Sequence, residues 1–435
     1  MTTTASDPTS LLSETDPNSL TSDTTKSLKI AILGYRSNPY SGGQGIYIHY
    51  LSKALVDVGH QVHVISGEPY PHLDPRVKLI TMPGLNLYER GLASIRLKNL
   101  FSLTDMIEWF SKLTGGFAEP YCFGRRVKAF LKKQGHDYDI VHDNQSLAYG
   151  MLSIQQDFPF ITTLHHPITS DLKIALAAAQ TLWQKVLIKR WHSFLTMQNK
   201  VVNQLEHIIT VSACSKKDIA ADFGISEEKI ELIYNGIDTE IFKPQPAITR
   251  KHQRLLATAS ADQPLKGLNY LLQAYAQLLT KLPELELIIV GKPKAGGVTE
   301  QLITELKLND KIQFISGIST KKLVELYASA TLAVVPSVYE GFGLPAGEAM
   351  ACGVPVISTD GGALPEVVGD AGVIVPAKQP EALAKGVEFL LNSPEKQAQY
   401  AIAGRQRILE QFSWQVVAKK LTHYYYDVIS AYANR

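Results

Sequence analysis

The chain has 435 residues, 45% of them hydrophobic and 19% charged, with a net charge of +2. That length exceeds one ordinary core and, at one domain per roughly 100 to 200 residues, predicts two large domains facing across a cleft. The near-neutral charge and the lack of a base-reading motif argue against a nucleic-acid partner. Cys122, Cys214 and Cys352 are widely spaced and odd in number, match no zinc-ligand pattern, fit a reducing compartment and read as small core residues.

Residues 1–27 hold 14 Ser or Thr and few apolar side chains, so they read as a disordered tail that cannot repay the entropy of ordering. No apolar run reaches the ~18 residues of a bilayer span, and the N-terminus lacks the basic-then-apolar order of a secretory signal. A cytoplasmic location is expected.

"LKIAILGY" (28–35) is a continuous apolar run closed by glycine, followed by the helically spaced "SGGQGIYIHYLSKALVDVGH" and then by "QVHVIS". The pattern resumes at 139–143, 159–166, 207–213 and 229–236, which predicts a parallel sheet covered on both faces, a Rossmann-like first domain over 28–245. An insertion over 82–134 mixes aromatic residues with Arg96, Lys98, Arg125, Arg126, Lys128, Lys132 and Lys133, and a second amphipathic stretch over 181–202 carries Trp183, Lys185, Lys189, Arg190 and Trp191. Both read as helices covering the sheet in preference to a membrane-surface role, although peripheral contact with a membrane stays open.

Asn235 and Gly236 read as a turn at the domain crossing, a hinge rather than a ligand, and a polar, proline-bearing linker follows. Strand and helix alternation restarts near residue 250, with strands at 285–291, 311–317, 331–337, 354–359 and 371–376, giving a second Rossmann-like domain over 246–413. The last helix, 414–435, exceeds what that sheet needs and is expected to return to the first domain.

The stretch "SVYEGFGLPAGEAMACGVPVIST" (337–359) sets a glycine loop between a buried strand and a helix entered at Pro345. Ligands of open parallel sheets bind at that strand end, where the free N–H groups of Gly341, Phe342, Gly343 and Leu344 suit anionic or hydroxyl-rich groups. Glu340 and Glu348 bracket the loop, and a carboxylate with two acceptor oxygens suits a vicinal diol better than a phosphate. Two diols separated by a diphosphate fit the spacing. Asp360 and Glu366 receive no chemical role.

"EGFGLPAGE", "AMACGVPVI" and "GGALPEVV" resemble the donor site of retaining family 4 glycosyltransferases (glycosyl transferases group 1) of GT-B architecture, and the likeness covers nearly all of residues 28–430. The resemblance implies an α/β fold of two Rossmann-like domains and transfer of a hexose from a nucleoside-diphosphate sugar to an acceptor, with retention by front-face attack. UDP is the expected base and GDP is possible. It implies that Glu348 holds the ribose, Glu340 and the amides after it hold the sugar, and Lys266 of "LKGL" neutralises the diphosphate. The Ser41–Gly45 loop, with Gly42, Gly43 and Gly45, would face the diphosphate across the cleft, and His165, preferred over His166, would approach the sugar.

One departure stands out. Ala261 occupies the place of a usual arginine five residues before the lysine, so Arg36, Lys292 or Lys294 would have to replace that cation, or Lys266 and the amides would carry more of the load. No DxD motif lies in the donor stretch, so transfer is expected without metal or other cofactor. A glycosidase is rejected because it needs no diphosphate cradle. A non-catalytic sugar-nucleotide-binding protein and a sugar-nucleotide epimerase remain the alternatives. Glycan, glycolipid and small-molecule acceptors, the first two as in cell-envelope polysaccharide synthesis, remain open.

Overall fold

The computed structural model describes residues 26–39, 43–134, 137–167, 181–259 and 262–435, and positions 169, 172, 175, 176 and 179. The expected tail lies outside this set apart from its last two residues, where Ser27 Oγ donates to the Gly59 carbonyl at 2.7 Å.

Continuous rather than alternating apolar runs make the strands, because helices cover both faces of each sheet. The first sheet contains β1 (Lys29–Gly34), β2 (Gln61–Ser66), β3 (Lys78–Thr81), β4 (Ile140–Asn144), β5 (Phe160–Leu164), β6 (Ile208–Thr210) and β7 (Ile230–Leu232). Its spatial order is β3-β2-β1-β4-β5-β6-β7, parallel throughout. The second contains β8 (Arg254–Thr258), β9 (Glu286–Val290), β10 (Ile312–Ile315), β11 (Leu332–Val335), β12 (Val356–Thr359) and β13 (Val373–Val375), in the order β10-β9-β8-β11-β12-β13. Each order reverses direction beside its first strand, which opens a crevice at the carboxyl ends of the central strands.

The Trp414–Ala433 helix leaves the second sheet and packs on the first. Trp414, Val417, Leu421, Tyr425 and Val428 share one core with Ile30, Ile48, Leu51 and Leu55. Two of its buried hydroxyls find partners there, with His142 Nδ1 2.7 Å from the Tyr425 hydroxyl and His60 Nε2 2.8 Å from Thr422 Oγ1. At the crossing, Ile237 N–H donates to the Phe412 carbonyl at 2.7 Å, and Gly236 lies so close to the Trp414 ring that any side chain would collide.

Three expectations need correction. Cys122 and Cys352 are buried, but Cys214 is only half-buried, at the start of the Ala213–Phe223 helix. Of the insertion and the second amphipathic stretch, the first supplies a covering helix and the second does so only in part. Cys122, Phe123, Val127 and Leu131 of the Glu119–Gln134 helix enter the core, whereas the Leu182–Trp191 helix buries no residue and leaves Leu182 83% and Trp183 68% exposed. The 181–202 stretch is also interrupted by a 3₁₀ turn at His192–Phe194 before the Leu195–Gln204 helix.

Candidate active site

β11 ends at Val335, and the chain turns through residues 336–343 into the Leu344–Ala351 helix. Gly343 makes that entry at φ 102°, a backbone conformation that side-chain-bearing residues seldom adopt. Among the described residues, the amides of Gly341, Phe342, Gly343 and Leu344 donate to no backbone carbonyl, which leaves four donors together at a helix N-terminus.

Glu340 is buried beneath this loop, where Oε1 accepts from Ser337 Oγ at 2.8 Å and from Lys266 Nζ at 2.8 Å. Lys266 ends a 3₁₀ turn, Pro264–Lys266, that follows β8. Gly267 lies against the Pro336 carbonyl where a Cβ would clash, and the Leu265 carbonyl accepts from Val338 N–H at 2.8 Å. The "LKG" segment is thereby fastened to the glutamate loop, and the cation and anion meet by construction.

Glu348 lies on the inner side of the helix, with the Tyr327 hydroxyl 3.4 Å from Oε2. Loss of solvent pushes its carboxyl up to about 7, partly offset by the Tyr327 contact.

His165 follows β5. Its N–H donates to Gln145 Oε1 at 2.7 Å, its Nε2 lies 2.7 Å from Asn144 Oδ1, and its ring stands edge-on to Tyr47 with centroids 4.6 Å apart. Burial, then the charge of His166, drives its imidazole down to about 3, so it is neutral at physiological pH. An Nε2 facing a carbonyl oxygen carries the proton, leaving Nδ1 as an acceptor. Gln145 Nε2 also donates to the His166 carbonyl at 2.7 Å, so Asn144 and Gln145, just beyond the apolar part of β4, hold the histidine segment. Sequence reasoning missed both; the polar "DNQ" closing an apolar strand was their signal.

Gly43, Gln44, Tyr47, His165, Asn235, Leu344 and Glu348 line one cleft of about 380 Å³ between the two sheets. Leu344 and Glu348 thus share this cleft with His165, and the loop that carries Glu340, with Lys266 bonded to it, leads into Leu344; a Cβ at Gly341 would fall 3.8 Å from the His165 carbonyl. Gly43 caps the Gln44–Asp57 helix at φ 68°, whereas Gly45 is buried where a Cβ would clash with the Ser37–Asn38 backbone, a packing requirement. Gly42 and Ala261 lie outside the described residues. Arg36 pairs with Glu119 at 2.8 Å, and Lys292 and Lys294 are exposed. A larger apolar hollow of about 540 Å³, beside Pro244, Arg250 and Arg405, shares none of these groups.

Residues 41–241 match the model of Glycosyltransferase Family 4, and residues 239–407 match that of Glycosyl transferases group 1. A relative from Mycolicibacterium hassiacum, an MMP alpha-(1->4)-mannosyltransferase, is 42% identical over 93% of this chain and 100% of its own length. In fold, the chain is similar to a sucrose-phosphate synthase from Thermosynechococcus elongatus (TM-score 0.66, 22% identity, 93% of this chain and 100% of that one). It is also similar to Anabaena HepE in complex with UDP and glucose (TM-score 0.62, 19% identity, 91% and 98%). Two parallel-sheet domains closing on a glutamate-bracketed loop, with a full-length relative of this identity, make the chain a member of the group 1 glycosyltransferases of GT-B fold.

Proposed function

We propose that the protein moves a hexosyl group, with mannosyl the first candidate, from a UDP- or GDP-linked sugar to a glycan acceptor with retention of anomeric configuration. The observation that carries this reading is the joining of Lys266 and Glu340 at 2.8 Å beneath four unpaired amides, on the loop leading into the helix whose Leu344 and Glu348 line a cleft with His165. Mannosyl comes first because the relative just described is named a mannosyltransferase.

Glu348 takes the ribose diol and Glu340 a sugar hydroxyl, while Lys266 and the loop amides receive the diphosphate. Breaking the C1–O bond places charge on the departing diphosphate, where a fixed cation and fixed amides are worth most. Front-face attack lets a leaving-group oxygen accept the acceptor's proton, so no protein carboxylate need bond to the sugar. Neutral His165 orients a hydroxyl through Nδ1. With Lys266 and the amides neutralising the diphosphate, turnover needs no metal and persists in chelator.

The test is a panel of UDP-, GDP- and ADP-hexoses read by thermal shift, followed by nucleotide release with manno-oligosaccharide acceptors. A donor that stabilises the fold without acceptor-dependent release supports a binding protein, and release without glycoside formation supports an epimerase.

The exposed apolar face favours an acceptor held at a membrane surface. Leu97, Phe101, Leu103 and Phe110 project from the insertion. The Leu182–Trp191 helix joins them through Arg190 Nη2 to Thr114 Oγ1 at 2.7 Å and Trp191 stacked on Phe117 at 5.1 Å. The same helix carries Lys185, Lys189 and Arg190, the two lysines exposed, and residues 181–204 contain no Asp or Glu. Apolar side chains sharing a helix with cations suit an anionic bilayer.

A further inference from the structure

The glutamate loop is tied to the first domain by hydrogen bonds for which the transfer chemistry has no use. Glu366, in the second domain, accepts from the N–H groups of Ala213 at 2.7 Å and Cys214 at 2.8 Å, the first amides of the first-domain helix Ala213–Phe223. In the other direction, the hydroxyls of Ser212 and Ser215 donate to the Gly341 carbonyl at 2.6 and 3.1 Å. A fifth bond runs from the Tyr339 hydroxyl to Asp218 Oδ2 at 2.5 Å. A carboxylate on two otherwise orphaned helix amides, favoured by the helix dipole, is the strongest member of this set.

These bonds reach the reacting end of the site. The segment carrying Glu366 forms the floor of the loop, where Ala363 N–H donates to the Glu340 carbonyl at 2.9 Å. Gly362, at φ 65°, lies so close to the Glu340 backbone that a Cβ would clash. A planar trans peptide points its N–H opposite to its carbonyl. The two serines, by fixing the Gly341 carbonyl, therefore turn the Phe342 N–H away from the first domain's helix. A shift of that helix alters both the floor and the orientation of a donor amide.

We propose that Glu366, acting with Ser212 and Ser215, is a positioning residue that gives the loop its working geometry only when the two domains are closed. Nucleotide binding, which needs Glu348 and the second domain, does not depend on it. The kinetic half of this proposal rests on the glycosyltransferase reading; the conformational half does not.

The experiment compares wild type, Glu366→Ala, Glu366→Gln and the Ser212→Ala/Ser215→Ala double variant by small-angle scattering without ligand, by nucleotide calorimetry and by single-turnover transfer. Expected are a larger radius of gyration, a nucleotide Kd within about threefold of wild type, and a transfer rate lower by ~10- to 100-fold, as for a reacting group misplaced by about 1 Å. Glu366→Gln, which keeps one amide acceptor, should recover part of both effects. Combining Glu366→Ala with the serine changes should cost little more than either alone, since both release one closure.

An unchanged radius of gyration, an unchanged rate, or strictly additive losses would overturn the proposal. If Glu366→Ala fails to fold, the serine double variant carries the same three measurements. If wild type transfers from no donor, the function proposed above fails, while scattering still decides the closure.

Discussion

Lys266 Nζ lies 2.8 Å from Glu340 Oε1, so the cation proposed for the diphosphate is held by the carboxylate proposed for the sugar. The pair is partly exposed on the lysine side, and such pairs contribute at most about 1 kcal/mol to folding. Its value lies in placement, since a lysine stem has many rotamers and the carboxylate selects one.

Lys266→Ala should therefore leave the thermal midpoint nearly unchanged while lowering kcat by about 10²- to 10³-fold, the loss typical of removing one donor to a developing anion. Lys266→Arg should recover little, because a planar fork does not reproduce the single bond to Glu340. Steady-state kinetics beside a melting curve provide the check. A destabilised Lys266→Ala protein with intact kcat would assign the pair to folding.

Glu348→Ala should weaken donor binding roughly 10- to 100-fold, since each hydrogen bond to a charged acceptor is worth ~1.5 to 3 kcal/mol. Glu340→Ala should lower turnover more than affinity. With the Glu348 carboxyl pushed up to about 7, the free enzyme carries a proton there near neutrality, and binding of the diol favours its loss. Donor affinity should rise as pH increases through 7, and Glu348→Gln should flatten that dependence in calorimetry.

Two buried imidazoles contribute to the acid sensitivity of the fold. Burial lowers His142 and His165 each to about 3, well under the value near 6.5 of an exposed histidine. Below pH 6.5 the unfolded chain takes up protons that the folded chain refuses until about pH 3, so stability falls as pH falls through that window. With both groups fully engaged, the slope approaches about 2.7 kcal/mol per pH unit. Denaturant titrations at several pH values should show it, and His165→Asn should remove about half.

Trp414→Ala should cost ~3 to 5 kcal/mol, because a large buried ring leaves a cavity that the backbone at Gly236 cannot fill. Gly236→Ala attacks the same contact by overpacking and should cost ~1 to 3 kcal/mol. Chemical denaturation measures both.

Sedimentation with phosphatidylglycerol vesicles should capture the wild-type protein at low salt and release it near 0.5 M salt, where the Debye length is a few ångströms. Replacing Trp183 and Leu182 by Ser should abolish capture without changing the melting curve, since both side chains lie in solvent. Failure to sediment at low salt would leave a soluble acceptor.

The strands were legible because an apolar run closed by glycine or proline has few other readings, and the glutamate loop because "EGFGLPAGE" combines two carboxylates with a backbone that only glycine and proline favour. The edge strand β3 escaped notice: it has four residues, three of them exposed, and presents no apolar run. The Lys266–Glu340 bond joins residues 74 positions apart and depends on β8 and β11 being neighbours, a fact of topology that no local pattern carries. Glu366 looks like an ordinary first-turn acid, and its partners 152 and 153 positions away appear only once the domains are assembled. The Leu182–Trp191 helix misled in the opposite sense, since apolar residues at helical spacing indicate one sticky side and leave open what covers it.

The chain passes between the domains twice, and the two passages run side by side where Ile237 pairs with Ser413. Paired tethers behave like the two leaves of a door hinge: they permit swinging about one line and resist twisting or sliding. No single cut in the backbone can separate this protein into two self-sufficient halves, because a fragment ending near residue 245 would leave behind the terminal helix that roofs its own sheet. Expressing either half alone should therefore yield aggregating material, and supplying the 414–435 peptide in trans is the addition that would rescue the first.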